Sequence, residues 1–171
     1  NSIPRDQKII FVPDKYLGSY VMKQTGRDMI LWNGFCPTHV KILPSDIEAA
    51  KKEHPGAVTV SHPECTSEVI AMSDHALSTG QMLSFIKDSK DKEFIIATEP
   101  GIIHRLKKEN PEKRFYPATM KSICPNMKKI TLEEVLWSLE DLKEEIKVPD
   151  EIRKRAITPI RRMLEIRYSD A

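Results

Sequence analysis

Short apolar runs alternate with stretches of helical periodicity along the chain. Three of these runs, residues 8–12 (KIIFV), 57–60 (AVTV) and 94–97 (FIIA), are rich in β-branched side chains. A turn that holds a proline and an acid follows each run, and apolar positions at helical spacing come next. This order predicts parallel α/β units whose site lies at the carboxyl ends of the strands.

The acids of these three turns are Asp14, Glu64 and Glu99. One interpretation places them in a functional site. The other is that each acid only caps the helix that follows it. Their repetition in three turns favours the site, and both interpretations stay open for each acid.

A second apolar strand follows the helix in two of the units, at residues 29–32 (MILW) and 115–116 (FY). Other helix starts are predicted from capping signals. These signals are Ser45 with Glu48, Thr131 with Glu134, and Thr158 followed by Pro159.

The composition limits the class of protein. The chain has 171 residues, of which 40% are hydrophobic and 30% charged, and its net charge is +2. These proportions exclude a disordered polymer and a lipid-embedded chain. The charges are mixed along the sequence, and no apolar run approaches the roughly 18 residues of a membrane span. We expect a globular protein of the cytoplasm that binds neither nucleic acid nor membrane.

The three cysteines, Cys36, Cys65 and Cys124, form no Cys-x-x-Cys pair, which excludes zinc ribbons and thioredoxin-type motifs. Cys36 and Cys124 each follow the second strand of a unit, whereas Cys65 lies in a first-strand turn. The chain does not begin with methionine, and a further unit upstream of Asn1 would supply a third equivalent cysteine. Three such thiolates suit an iron-sulfur cluster with one open iron as a Lewis acid. Cysteines that serve only as small core residues are the alternative.

Side chains suited to proton transfer and anion binding lie near these positions. His39 comes three residues after Cys36, and His62 and Glu64 share the second acidic turn. Histidine and glutamate exchange protons or hold polar groups near neutral pH. The segment 78–80 (STG) opens a helix, and its hydroxyl and N–H groups suit a carboxylate or phosphate. Capping or a plain surface position is the alternative for each.

Six motifs, in this order, resemble those of quinolinate synthase. They are residues 11–18 (FVPDKYLG), 32–39 (WNGFCPTH), 62–65 (HPEC), 78–82 (STGQM), 99–106 (EPGIIHRL) and 124–129 (CPNMKK). The resemblance implies a [4Fe-4S] transferase of NAD biosynthesis that condenses iminoaspartate with dihydroxyacetone phosphate to quinolinate, with loss of phosphate and two waters. L-aspartate oxidase or aspartate dehydrogenase would supply the iminoaspartate.

The resemblance also implies a fold of three homologous three-layer α/β domains with short parallel sheets, related by a pseudo-threefold axis. Residues 1–50 then form part of the second domain, whose start is missing. Residues 51–130 form the third α/β repeat region with its cysteine loop, and residues 131–171 form C-terminal helices packed on the core. The first domain has no counterpart here.

Residue roles are likewise implied by the resemblance. Cys36 and Cys124 match the second and third cluster ligands, so the remaining ligand is expected upstream of Asn1, and Cys65 matches no ligand. Since two thiolates are too few for a [4Fe-4S] cluster, we expect this polypeptide alone to be inactive.

The other matches lie in the substrate pocket. His62 and Glu64 match pocket residues and are the candidates for catalysis. His39 matches a pocket histidine, and Thr79 matches a substrate contact with Ser78 beside it. Two alternatives remain: a non-catalytic α/β binding module with structural cysteines, and a zinc-dependent hydrolase that uses His39, His62 and Glu64.

Overall fold

A computed structural model describes residues 3–143 and 145–165. Within this part, strands and helices alternate up to Pro117. The strands are β1 (Ile10–Phe11), β2 (Ile30–Leu31), β3 (Val58–Ser61), β4 (His75–Ala76), β5 (Glu93–Ala97) and β6 (Arg114–Pro117). The helices are α1 (Lys15–Thr25), α2 (Pro44–Glu53), α3 (Ser67–Ala71), α4 (Thr79–Asp88), α5 (Ile102–Glu109), α6 (Leu132–Asp141) and α7 (Asp150–Glu165).

The chain divides into two compact units, Lys8–Cys124 and the pair of segments Asn1–Gln7 and Pro125–Ala171. The first unit contains β1 to β6. In the second unit the described residues include α6 and α7, and neither helix has a buried residue. Packing of these helices on the core therefore stays a prediction. None of the helices in the described ranges is both long and apolar enough to cross a bilayer.

All strand pairs in the first unit are parallel. Strands β1 and β2 form a two-stranded sheet in which Ile10 pairs with Ile30. The other sheet has four strands in the order β4-β3-β5-β6. Because parallel strands share a direction, the turns after β3, β4, β5 and β6 lie at one edge of this sheet.

Strand β5 lies at the centre of the core. Its side chains alternate between two apolar clusters: Ile95 packs with residues of α2 and α3, and Phe94 and Ile96 pack with residues of α4 and α5. Helices therefore cover both faces of the four-stranded sheet. Full burial of one such side chain contributes roughly 1.5–3 kcal/mol. The expected α/β class with short parallel sheets is confirmed, and the buried strand β5 leads directly into Thr98 and Glu99.

The helix starts predicted from the sequence are confirmed in part. The Thr131 capping box forms, with hydrogen bonds in both directions between Thr131 and Glu134. The predicted cap at Ser45 is wrong by two residues: Leu43 is the N-cap, Pro44 takes the first helical position, and the Leu43 N–H donates to Asp46 Oδ2 at 2.9 Å.

The predicted start at Thr158 is also wrong. Helix α7 begins at Asp150 and contains Pro159 in its interior. Its first turn carries Asp150 and Glu151, which favour a helix N-terminus, and Asp150 pairs with Arg153. The helix in the structure thus runs through Pro159, although an interior proline removes a backbone hydrogen bond.

Candidate active site

The turn after β1 is tied to the loop after β2 by a single carboxylate. Asp14 is buried, and its Oδ1 accepts hydrogen bonds from the N–H groups of Tyr16 and Leu17 at 2.8 and 2.9 Å, which caps α1. Its Oδ2 accepts a hydrogen bond from the N–H of Cys36 at 2.7 Å. Asp14 therefore holds both the start of the helix and the loop that carries the cysteine.

Glu99 makes the corresponding contacts after β5. Its Oε2 accepts from the N–H of Gly101 at 2.7 Å, at the start of α5, and its Oε1 lies 3.5 Å from the backbone nitrogen of Cys124. The contact between an acid and a cysteine backbone N–H thus occurs in two of the α/β repeats predicted from the sequence. Asp14 and Glu99 each support a helix start, as the capping interpretation expects, and each also contacts a cysteine loop. Their place in a functional site stays a prediction.

Glu64, the acid of the remaining turn, contacts two histidines. Its Oε2 lies 2.9 Å from His39 Nδ1 and 4.0 Å from His62 Nδ1. On the other side of the ring, His39 Nε2 lies 2.9 Å from Thr98 Oγ1. Because a carboxylate accepts, neutral His39 donates its Nδ1–H to Glu64 and accepts the Thr98 hydroxyl proton at Nε2.

The two imidazoles stack, with ring centroids 4.4 Å apart and an angle of 6° between the planes. Burial lowers the pKa of His39, although the charges of Asp14 and Glu99 act to raise it. Burial, followed by the neighbouring His39, lowers the pKa of His62 to about 4. Both rings are therefore neutral at pH 7.

The proton of His62 can be located from its contacts. The backbone N–H of Glu64 donates to His62 Nδ1 at 3.3 Å. This nitrogen must carry a lone pair, so the ring proton lies on Nε2. His62 therefore offers a neutral N–H donor rather than a positive charge.

Cys65 differs from the other cysteines in its surroundings. It is fully buried, and its Sγ lies 3.5 Å from the carbonyl oxygen of Ala97. Burial raises the pKa of the thiol to about 12. Cys65 is thus an inert core residue, which agrees with its lack of a matching ligand position.

Cys36 and Cys124 are half-buried cysteines outside any disulfide, in loops that Asp14 and Glu99 contact. A metal-ligating cysteine needs an accessible sulfur in a fixed loop, and these two satisfy that requirement whereas the buried Cys65 does not. The donor set therefore fits two of the three thiolate ligands that an iron-sulfur cluster with one open iron needs.

Three predicted site residues come together closely. A ligand atom from each of Cys36, His39 and Glu64 lies within 4.8 Å of the others. This is the one group of three potential metal ligands found within residues 3–143 and 145–165. Cys124 is outside this group.

Ser78 and Thr79 lie at the same sheet edge, directly after β4. Ser78 is the N-cap of α4, and its N–H and hydroxyl both donate to Gln81 Oε1, at 2.9 and 2.8 Å. The N–H of Leu77 donates to the Ser61 carbonyl at 2.9 Å, which fixes this turn beside the end of β3. The segment is thus a capped helix start one strand away from His62.

The sequence motifs did not single out Thr98. This residue is buried and orients His39 from the end of β5. A polar residue directly after a buried parallel strand, next to an acid, is the signal that could have identified it.

Fold and site together define a class: an α/β protein that gathers a carboxylate, two neutral imidazoles and a thiol at the carboxyl ends of parallel strands. The family description "Quinolinate synthetase A protein" matches residues 1–165. The chain belongs to the quinolinate synthetase A family.

Individual relatives agree with this assignment. The chain is 52% identical over 159 residues to a quinolinate synthase of Thermodesulfovibrio yellowstonii, covering 92% of this chain and 52% of the relative. It is 47% identical over 165 residues to that of Desulforudis audaxviator, covering 96% and 54%. It is 44% identical over 162 residues to that of Dehalococcoides mccartyi strain CBDB1, covering 95% and 54%. The chain spans about half the length of these relatives.

Proposed function

We propose that this chain is part of a cytoplasmic quinolinate synthase and supplies two cluster cysteines and the catalytic glutamate, Glu64. The reaction condenses iminoaspartate with dihydroxyacetone phosphate to quinolinate and releases phosphate and two waters. The observation that carries this proposal is the contact of Glu64 Oε2 with His39 Nδ1, beside the stacked His62 ring. L-aspartate oxidase or aspartate dehydrogenase is the proposed source of the iminoaspartate.

Glu64 is the proposed base. Formation of the aromatic ring removes protons from substrate carbon, and a carboxylate that retains access to solvent is suited to take them. The side chain of Glu64 is 25% exposed, and His39 fixes its orientation through the 2.9 Å contact. Thr98 in turn fixes the His39 ring, so the base is held by two successive hydrogen bonds.

His62 is the proposed hydrogen-bond donor to substrate. Its neutral ring carries the proton on Nε2, as the contact with the Glu64 backbone requires. A neutral N–H stabilises a developing negative charge on oxygen without adding a full positive charge beside Glu64. The assigned roles are thus complementary: Glu64 accepts protons, and His62 polarises an oxygen.

Ser78 and Thr79 are proposed to receive an anionic substrate group. They stand at the N-terminus of α4, a helix of ten residues. The helix dipole favours a carboxylate or phosphate there.

Cys36 and Cys124 are proposed to hold a [4Fe-4S] cluster with a third cysteine from outside this chain. When bound, the cluster supplies a Lewis acid for the loss of water. The contribution of this chain is to hold the two thiols in loops anchored by Asp14 and Glu99.

Anaerobic reconstitution of protein from the complete gene, with iron and sulfide, tests this assignment. We expect Cys36→Ala and Cys124→Ala to lose the iron and the visible absorption of the cluster. Cys65→Ala, the matched control, should retain both, because its thiol is buried and protonated. Loss of the cluster in Cys65→Ala together with its retention in Cys36→Ala would overturn the assignment.

The same metal measurement addresses the two alternatives. A non-catalytic binding module would contain neither iron nor zinc after anaerobic purification. A zinc-dependent hydrolase built on His39, His62 and Glu64 would contain zinc without sulfide and would keep that zinc in Cys36→Ala. Either result would contradict the proposed synthase.

A further inference from the structure

We infer that Cys36, His39 and Glu64 form a binding site for a single divalent transition-metal ion, zinc above all, with a ligand set different from that of the cluster. One ligand atom of each residue lies within 4.8 Å of the other two. Thiolate, imidazole and carboxylate are the three ligand types that zinc uses in proteins, and three protein ligands leave a fourth position open.

The spacing of the donor atoms suits one ion. Zinc bonds of about 2.0–2.3 Å place tetrahedral ligand atoms roughly 3.3–3.6 Å apart. His39 Nδ1 and Glu64 Oε2 are already 2.9 Å apart, and a separation at the 4.8 Å limit has to close by about 1.2–1.5 Å. Cys36 is half-buried and lies in a loop, so a rotation of its side chain is the movement that we propose for this closure.

The surroundings of His39 prepare it to bind through Nδ1. Metal-binding histidines donate their second ring N–H to an oxygen, which fixes the ring. His39 Nε2 lies 2.9 Å from Thr98 Oγ1, and a hydroxyl can accept as readily as it donates. When an ion takes Nδ1, the ring proton moves to Nε2 and is donated to Thr98 Oγ1, so this contact is kept with its direction reversed.

The binding step is a ligand exchange without redox change. Cys36 loses its thiol proton to solvent, water leaves the ion, and bonds form from Sγ, Nδ1 and a carboxylate oxygen. Glu64 exchanges its contact with the His39 proton for a contact with the ion.

This site has a consequence that rests on the proposed function. An ion on Glu64 and His39 occupies the proposed base, and it removes Cys36 from the cluster ligands. Zinc should therefore block both cluster assembly and turnover by occupying these three residues.

Cobalt(II) is the probe for the site, because a bound thiolate gives a charge-transfer band and four-coordination gives intense visible bands. Titration of the metal-free chain under reducing, anaerobic conditions should give both bands with one equivalent of cobalt, and zinc should displace them. Cys36→Ser should weaken cobalt binding roughly 100-fold or more, since the thiolate ligand is lost. Thr98→Val should weaken it about 10–100-fold.

Cys124→Ser distinguishes this site from the cluster. It should bind cobalt as the unmodified chain does, although it is expected to lose the iron-sulfur cluster. Cobalt bands that vanish in Cys124→Ser, or that persist in Cys36→Ser, would overturn the inference and leave the proposed function untouched.

A measurement on the unmodified chain tests the site even if the variants fail to fold. One equivalent of zinc should protect Cys36 from alkylation, as followed by peptide mass spectrometry, and leave Cys124 reactive. Equal protection of both cysteines, or of neither, would contradict the site.

Discussion

Replacement of Asp14 probes the link between the first acidic turn and the cysteine loop. Asp14→Asn keeps one oxygen for the N–H groups of Tyr16 and Leu17 but places an amide N–H₂ opposite the N–H of Cys36. The lost charge-assisted hydrogen bond is worth about 1.5–3 kcal/mol. Asp14→Ala also removes the helix cap, which is worth about 1 kcal/mol more. We expect the alanine variant to be the less stable of the two.

Urea unfolding gives the change in stability, and amide hydrogen exchange shows where it arises. Exchange at Cys36 should accelerate in both variants, whereas exchange at Tyr16 and Leu17 should accelerate mainly in Asp14→Ala. Alkylation of Cys36 should also become faster, because its loop is released. Asp28→Asn, in the exposed loop between α1 and β2, is the control that should change none of these values. Unchanged exchange at Cys36 in Asp14→Asn would refute the proposed anchoring.

Three further predictions concern single residues. Cys65 should resist iodoacetamide at pH 8 in the folded chain while Cys36 reacts, because burial raises the pKa of Cys65 to about 12; equal modification would contradict this. Because the pKa of His62 falls from 6.5 unfolded to about 4 folded, the unfolded state binds more protons between these values. Stability should therefore decline as the pH drops from 6.5 to 4, and less so in His62→Gln. Gly34→Ala should cost about 1–3 kcal/mol in urea unfolding, because its Cβ would meet the Pro13 carbonyl oxygen.

Local patterns in the sequence were sufficient for much of the fold. Buried strands such as residues 94–97 are short, β-branched and bounded by turns, so their period and position are visible without tertiary information. The start of α7 could not be predicted in this way. The sequence shows a strong cap-and-proline signal at Thr158, whereas the helix begins at Asp150.

The candidate site was predictable as a set of residues but not as a set of contacts. Glu64, His39 and His62 could be named from their motifs, and the closeness of Glu64 and His62 follows from their common turn after β3. The approach of His39 does not follow from the sheet, because His39 comes after β2 of the two-stranded sheet. The contact of His39 with Thr98 joins two segments that are far apart in sequence, the short helical turn after β2 and the end of β5, so no local pattern contains it. The hydrogen bond from the Cys36 N–H to Asp14 Oδ2 could not be predicted either, because these residues are also far apart in sequence.

Quinolinate formation by the protein from the complete gene tests the central claim most directly. With the cluster reconstituted under anaerobic conditions, Glu64→Gln should lower the rate of quinolinate formation by about 10²–10⁴, because the base is lost while iron content is kept. Glu68→Gln, an exposed glutamate on α3, should match the unmodified protein. Full activity in Glu64→Gln, or no quinolinate from the unmodified protein, would contradict the account.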